Sequence, residues 1–562
     1  MRIAAMVKIT SSHLLLALAL AACGRLLEPD TSFFSLQENV DSAELFPMPR
    51  CGNFQLEEAT IDQMQEAMSN GTLTSVQLAT CYMMRTYQTE DYANSLIQLN
   101  PDVLAIAADR DAERQAGQVR GPLHGIPFTV KDNIASKDKL ETTAGSWALL
   151  GSVVPRDAHV VRRLREAGAV LFGKATLSEW ADMRSNNYSE GYSSRGGQAR
   201  SAYNLTVNPG GSSSGSAIGV AINAIAFSIG TETDGSIISP AERNAIVGFK
   251  PTVGLTSRAG VVPESEHQDS VGTFGRTVRD AVGNTPAGGY AQFLSKSDCL
   301  KDAVFGLPWK SFWVYADEEQ QNALTSIISL IESADATIIN GTEIANYETL
   351  ISPDGWDWDY GGTRGYPNES EYTVVKVDFY NNIKTYLAEL NNANIKSLED
   401  IVQYNYANDG SEGADHGHLA TRRSTQAKTD SWPRWRLAVF RALRFTQSST
   451  RAGIDSALMH KGRQLSGLLV PPDVGQTYQI AAQAGYPMLT IPAGVHMSST
   501  GMPFGLALMQ TAWAEVKLVR WASAIEDLLQ QSTAASTNNK SYGRTLPKWH
   551  GYLERNIPVL NL

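Results

Sequence analysis

The chain has 562 residues, 43% of them apolar and 19% charged, and a formal net charge of −11 at pH 7. That length allows one large domain or several ordinary ones, with ample apolar material for a core. The acidic balance and the lack of any long basic run argue against a general nucleic-acid or anionic-membrane binder.

Residues 1–22 have the make-up of a secretory signal: Arg2 and Lys8, then the apolar Leu14–Leu20, then the small residues Ala19, Ala21 and Ala22. The apolar run is too short to span a bilayer comfortably, and no later segment is long and apolar enough. The expected location is therefore secreted. The alternative is a bacterial lipoprotein, since Leu20-Ala21-Ala22-Cys23 resembles a lipobox that would anchor the chain through Cys23. Sequons at Asn70, Asn187, Asn204, Asn340, Asn368 and Asn539 favour a secreted glycoprotein. The other cysteines are Cys51, Cys81 and Cys299. With no CxxC or Cys/His cluster, a structural zinc site is not expected, and one local disulfide is allowed without its pair being named.

Residues 23–52 read as a lead-in, 53–550 as one folded unit without repeats or linkers, and 551–562 as a C-terminal tail. Thr60 opens a helical pattern through Ile61, Met64 and Met68 that ends before Gly71. Thr74-Ser75 starts a second helix, to about Thr89, and Asp102 to Gly117 is a third. A short apolar strand, Ile126 to Val130, then runs into Lys131-Asp132. A lysine carried inward at a strand end loses stability in its charged form, so its pKa falls and it can serve as a base. The same residue with its ammonium in solvent would be ordinary. Asp132 either orients Lys131 or caps a turn.

Asp157 is the expected cap of a helix from Ala158 to Ala167, followed by a buried strand, Ala169 to Gly173. Strands alternating with helices predict an α/β architecture with a sheet covered on both sides. Ser193 to Gln198 is a polar Gly loop, with Arg195 a candidate substrate contact. Between Asn208 and Pro240 lie two glycine-flanked serine sites, Gly210-Gly-Ser-Ser-Ser-Gly215 and Asp234-Gly-Ser-Ile237, separated by an uncharged apolar run, Ala217 to Ile229. Glycine suits a tight turn, serine exposes an oxygen, and an apolar element holds both in place. Ser236 reads as a nucleophile, although each site alone is also an ordinary turn.

Downstream, Lys250 to Arg258 and Gly260 to Pro263 read as short strands and turns, and 353–367 as mainly loop. Asp415-His-Gly-His418 reads as solvated loop. A packed helix is expected over 431–465, strands over Tyr486–Gly494 and Pro503–Met509, and a last helix over Glu515–Gln530.

Three chemistries compete for the serines. Gly211-Ser-Ser-Ser-Gly215 matches G-x-S-x-G with Ser213 at its centre, as in α/β-hydrolases, but no later histidine sits in a recognisable context. A phosphate cradle would need Lys-Ser/Thr after the second Gly, where Ser216-Ala217 stands. The third is a Ser–Ser–Lys arrangement.

Gly121-Pro-Leu-His-Gly-Ile-Pro127, Val130-Lys-Asp132, Gly210 to Ala217, Gly230-Thr-Glu-Thr-Asp-Gly-Ser-Ile237, Gly248 to Leu255, Gly485-Tyr-Pro487 and Ile491-Pro-Ala-Gly494 follow one another in an order that resembles the amidase signature family. The resemblance implies a single α/β domain around a central mixed β-sheet. It implies Lys131 as catalytic lysine, Ser212 as bridging serine joined to Gly211 by a cis peptide, and Ser236 as nucleophile, 24 positions after Ser212. Backbone N–H groups of Thr233, Asp234, Gly235 and Ser236 would form the oxyanion hole. Gly210 and Gly211 join Arg195 as candidate substrate contacts. No metal or cofactor is implied.

Where many members carry Gly-Gly-Ser-Ile-Arg, this chain has Asp234-Gly-Ser-Ile-Ile238, similar to bacterial peptide amidases and many fungal amidases. The activity implied is cleavage of a linear carboxamide, such as a C-terminal peptide amide. An ester substrate at the same site and an inactive binding relative are the alternatives. A glutamine-dependent amidotransferase would need partner subunits, against which the N-terminal signal argues.

Overall fold

The computed structural model of the chain describes residues 46–48, 50–184, 188–283, 289–347, 371–408, 432–474, 477–535, 543–549 and 559. The signal segment with Cys23, the loop at 353–367, Asp415 to His418 and the sequons Asn187, Asn368 and Asn539 lie outside them.

Eleven strands form one mixed sheet: β1 Leu96–Leu99, β2 Pro127–Lys131, β3 Val170–Ala175, β4 Phe227–Glu232, β5 Val247–Lys250, β6 Ser270–Gly275, β7 Val304–Leu307, β8 Thr337–Asn340, β9 Gly467–Val470, β10 Met488–Val495 and β11 Pro503–Met509. Their order is β1-β3-β2-β4-β6-β5-β10-β11-β9-β7-β8. β3, β2 and β4 are parallel, as are β9, β7 and β8, and the remaining neighbours are antiparallel. Helices flank the sheet, as the alternation of strand and helix patterns predicts. Most strands are buried along their whole length. They therefore read as short apolar runs without alternation, which is why β6, β7 and β9 leave no period-2 signal in the sequence.

The first helices form where their caps place them. Thr60 Oγ1 accepts from Gln63 N while Gln63 Oε1 accepts from Thr60 N, opening α1, Ile61–Ser69. Thr74 and Gln77 repeat the arrangement for α2, Ser75–Ala93. The third helix, α3, is Val103–Gln115. Asp157 does not cap the next helix, α4, His159–Glu166: its carboxylate takes the Lys137 N–H at 2.6 Å and pairs with Arg165.

The apolar stretch from 217 to 229 is two elements. Helix α5, Ser214–Ala221, ends near Asn223, which is left-handed at φ 60°, and the chain then enters β4. Asn223 earns that conformation through its amide, which exchanges hydrogen bonds with Glu58. Cys51 and Cys81 form a disulfide that ties the end of the lead-in to α2.

Candidate active site

β2 runs parallel between β3 and β4, with Val130 opposite Ile229 on one side and Lys174 on the other. The carboxyl ends of parallel strands are where open α/β sheets place their sites, and Lys131 is the last residue of β2. Its side chain is fully buried. Burial pushes its pKa down to about 8, against the opposing pull of Glu264, Asp182, Glu190 and Asp269.

Lys131 Nζ lies 2.7 Å from Ser212 Oγ and 3.1 Å from Thr231 Oγ1. Ser212 Oγ lies in turn 2.8 Å from Ser236 Oγ. The three side chains singled out in the sequence are thus brought into one unbroken line, from 0% exposure at Lys131 and Ser212 to 4% at Ser236. The Gly211–Ser212 peptide is cis. Asn133 Nδ2 donates to Thr231 Oγ1 from behind, so Thr231 joins Lys131 to a second strand end.

Glu232 closes β4 and sets the loop that carries Ser236. Its Oε2 accepts the N–H groups of Ile237 at 2.7 Å and Ile238 at 2.9 Å, turning the chain into the short helix α6, Ile238–Glu242. The N–H of Gly235 faces the same carboxylate. Gly235 has φ 73°, and a Cβ there would lie 2.5 Å from the Tyr478 ring, so this turn accepts only glycine. A Cβ on Gly211 would meet Glu190 Oε2 at 1.9 Å.

A cavity of about 400 Å³ opens on Ser236. Thr233, Asp234, Gly235, Ser236 and Gly211 line it, with Asp182, Glu190, Glu264, Glu371, Tyr478 and Gln479 around them. Gly210 is not among the lining residues, and a Cβ there would lie 2.7 Å from the Pro240 Cα. Arg195 requires a correction: it is not in the cavity wall. Its guanidinium pairs with Glu141 at 3.2 Å and donates to Thr143 Oγ1 at 3.0 Å, because the hairpin that carries it packs onto the 143–145 turn. Asp132 belongs to that turn as well: its Oδ2 accepts from Thr143 N, Thr143 Oγ1 and Gly145 N. Ser213, the centre of the G-x-S-x-G match, donates to the Thr231 carbonyl at 3.0 Å inside the core.

Glu264, Glu371, Tyr478 and Gln479 escape sequence reading because they belong to segments without motifs, three of them more than 130 positions past Ser236 in the chain. Thr231 lies within a matched motif, and its β-branched hydroxyl two residues before Thr233 was the available signal.

The Amidase family model matches residues 77–352. A protein of Schizosaccharomyces pombe that is named a putative amidase is 52% identical, over 93% of this chain and 92% of its own length. The crystal structure of the native peptide amidase from Stenotrophomonas maltophilia superposes with a TM-score of 0.74 at 34% identity, covering 88% of this chain and 99% of that one. An amidase family protein from Bacillus anthracis gives 0.74 at 27% identity, over 88% and 93%. With the sheet, its flanking helices and these relatives in agreement, the chain belongs to the amidase signature family, hydrolases that act on carbon–nitrogen bonds.

Proposed function

We propose that the chain hydrolyses linear carboxamides through Ser236, Ser212 and Lys131, by way of an acyl-enzyme. The observation that carries this reading is the line Ser236 Oγ, Ser212 Oγ, Lys131 Nζ at 2.8 and 2.7 Å, ending on an amine whose pKa is pushed down to about 8. Ser236 Oγ attacks the amide carbon as its proton passes to Ser212 Oγ, and the Ser212 proton passes to neutral Lys131 Nζ. The oxyanion is held by backbone N–H groups of Thr233, Asp234, Gly235 and Ser236, that of Gly235 shared with Glu232. Such donors are worth about 3–4 kcal/mol each. The proton returns along the same line to the leaving amine, and water then cleaves the ester to free the carboxylic acid and Ser236. A C-terminal peptide amide is the substrate shape favoured by the likeness to the peptide amidase.

Export is part of the proposal: the N-terminal signal pattern and the Cys51–Cys81 disulfide both suit an oxidising compartment. Of the sequons in the described residues, Asn70 and Asn340 are exposed, whereas Asn204 donates its amide to the Thr500 carbonyl.

The test is intact-protein mass after exposure to a fluorophosphonate, with wild type beside Ser236→Ala, followed by amide and ester panels. One adduct on wild type alone and release of ammonia or amine from amides are expected. No adduct on folded wild type, or an adduct on both, would overturn the nucleophile.

A further inference from the structure

Among the described residues, five acidic side chains, Asp182, Glu190, Asp234, Glu264 and Glu371, line the cavity at Ser236, and no lysine, arginine or histidine does. They come from separate parts of the chain and surround the space instead of sharing one loop. Their hydrogen-bond partners are neutral side chains and one another: Ser178 Oγ donates to Glu190, Gln479 Nε2 to Asp234, and Gln268 and Gln483 to Glu371, while Asp182 bonds to Glu190 and Asp234 to Glu371, carboxyl to carboxyl. The proton relay uses none of these carboxyls. Among the described residues none of them forms an ion pair of the kind that joins Glu58 to Arg544 elsewhere in the fold.

Gln479 adds a second observation. It is 6% exposed, its Nε2 is engaged by Asp234, and its Oε1 has no hydrogen-bond partner among the described residues. A buried acceptor left open in a cavity wall matches a donor brought by a ligand. Burial raises all five carboxyls, Asp182 to about 6 and Glu371 to about 7, and repulsion from neighbouring carboxyls adds to it, from Glu232 in the case of Glu371. A positive charge placed among them relieves the repulsion, whereas an apolar group would strip them of water and return nothing.

We propose that this cavity selects amides that carry a protonated nitrogen, ammonium or guanidinium, besides the scissile bond. The inference rests on the amidase reading of the same site. Its selecting residues are Glu371, Glu264 and Gln479, with Asp182, Glu190 and Asp234 completing the field.

Calorimetry with full-length Ser236→Ala separates this inference from the reading beneath it, because binding is measured without turnover. Nα-acetyl-argininamide is compared with the near-isosteric Nα-acetyl-citrullinamide, and leucinamide with its Nα-formyl derivative. At least one cation is expected to bind about 10-fold tighter than its neutral partner. Adding Glu371→Gln or Glu264→Gln should cut that ratio to about 3-fold or less, as should about 0.5 M salt. Fluorophosphonate labelling of the same glutamine variants in the Ser236 background checks that the site still folds. No discrimination in either pair, no binding of either cation, or discrimination that survives both glutamine variants would overturn the proposal. Failure of wild type to turn over any amide would instead count against the proposed function, whatever the binding result.

Discussion

Lys131 Nζ stands 2.7 Å from Ser212 Oγ at the closed end of β2, and that contact distinguishes it from two other buried lysines. Lys174 and Lys250 are equally buried, and burial pushes both to about 8 as well. Lys174 Nζ, however, donates to the Ile134 carbonyl and to the buried Thr142 hydroxyl, and Lys250 Nζ to the Pro251 and Tyr486 carbonyls. A carbonyl has no proton to give. Of these three lysines, Lys131 alone meets a hydroxyl that leads on to the cavity at Ser236.

The pH dependence follows from that lysine. Its folded pKa, about 8, lies below the usual 10.5, so the base form gains as pH rises through about 8. The kcat/KM of wild type should climb with pH across this range. Lys131→Met should lose about 10³-fold or more and lose the climb. The same shift predicts that protonation costs stability as pH falls from 10.5 towards 8. Lys131→Met should therefore raise the Tm at pH 7, with the gain shrinking as pH approaches 10. A flat pH profile in wild type would remove Lys131 from the mechanism.

Ser212 and Ser213 are neighbours with opposite expected effects. Ser212→Ala breaks the relay and should lower kcat by about 10³-fold. Ser213→Ala removes a donor from the Thr231 carbonyl, so about 1 kcal/mol of stability should go while kcat stays within a few-fold. Denaturation curves and initial rates on both variants check the pair.

Gly235→Ala would force a Cβ into the Tyr478 ring at a left-handed turn. The steric cost of that conformation alone is about 1–2 kcal/mol. Because the next residue is Ser236, the rate of fluorophosphonate labelling should fall about 10-fold or more while the fold persists.

The disulfide Cys51–Cys81 closes a loop with a sequence separation of 30. Loop-closure entropy puts its worth at about 3–4 kcal/mol. Cys51→Ser with Cys81→Ser should lower the urea midpoint accordingly, and reductant should lower wild type but not the double variant.

Arg544 holds the Glu58 carboxylate with two hydrogen bonds. Burial pushes the Glu58 pKa up, but the Arg544 charge and hydrogen bonds outweigh it and hold the group at about 2 instead of 4.5. A depressed carboxylate stabilises the fold above 4.5, and this contribution is lost as pH falls from 4.5 to 2. Arg544→Ala should flatten that part of the acid-denaturation curve and cost roughly 3 kcal/mol at neutral pH.

Local signals carried much of the architecture. The caps at Thr60 and Thr74 are hydrogen-bond patterns within four residues, so they are legible without neighbours. The strand at Pro503–Met509 has the boundaries its Pro and apolar run predict. Asp157 misleads because the Lys137 N–H, 20 positions away, competes for its carboxylate. Arg195 misleads because its loop faces the 143–145 turn, a packing choice made at long range.

The sequence by itself determined the order of the glycine-serine motifs and the family they belong to, because turn chemistry is local, and through the resemblance to that family it singled out Lys131, Ser212 and Ser236. The tertiary structure decided what those residues do together. It took the parallel pairing of β2 with β4 to bury Lys131 beside Thr231, and the Glu232 carboxylate at the end of β4 to turn Ser236 towards Ser212. It also placed Glu371 and Gln479 against Asp234, more than 130 positions earlier. Electrostatic fields and desolvation depend on distances in space, and no spacing along the chain encodes them.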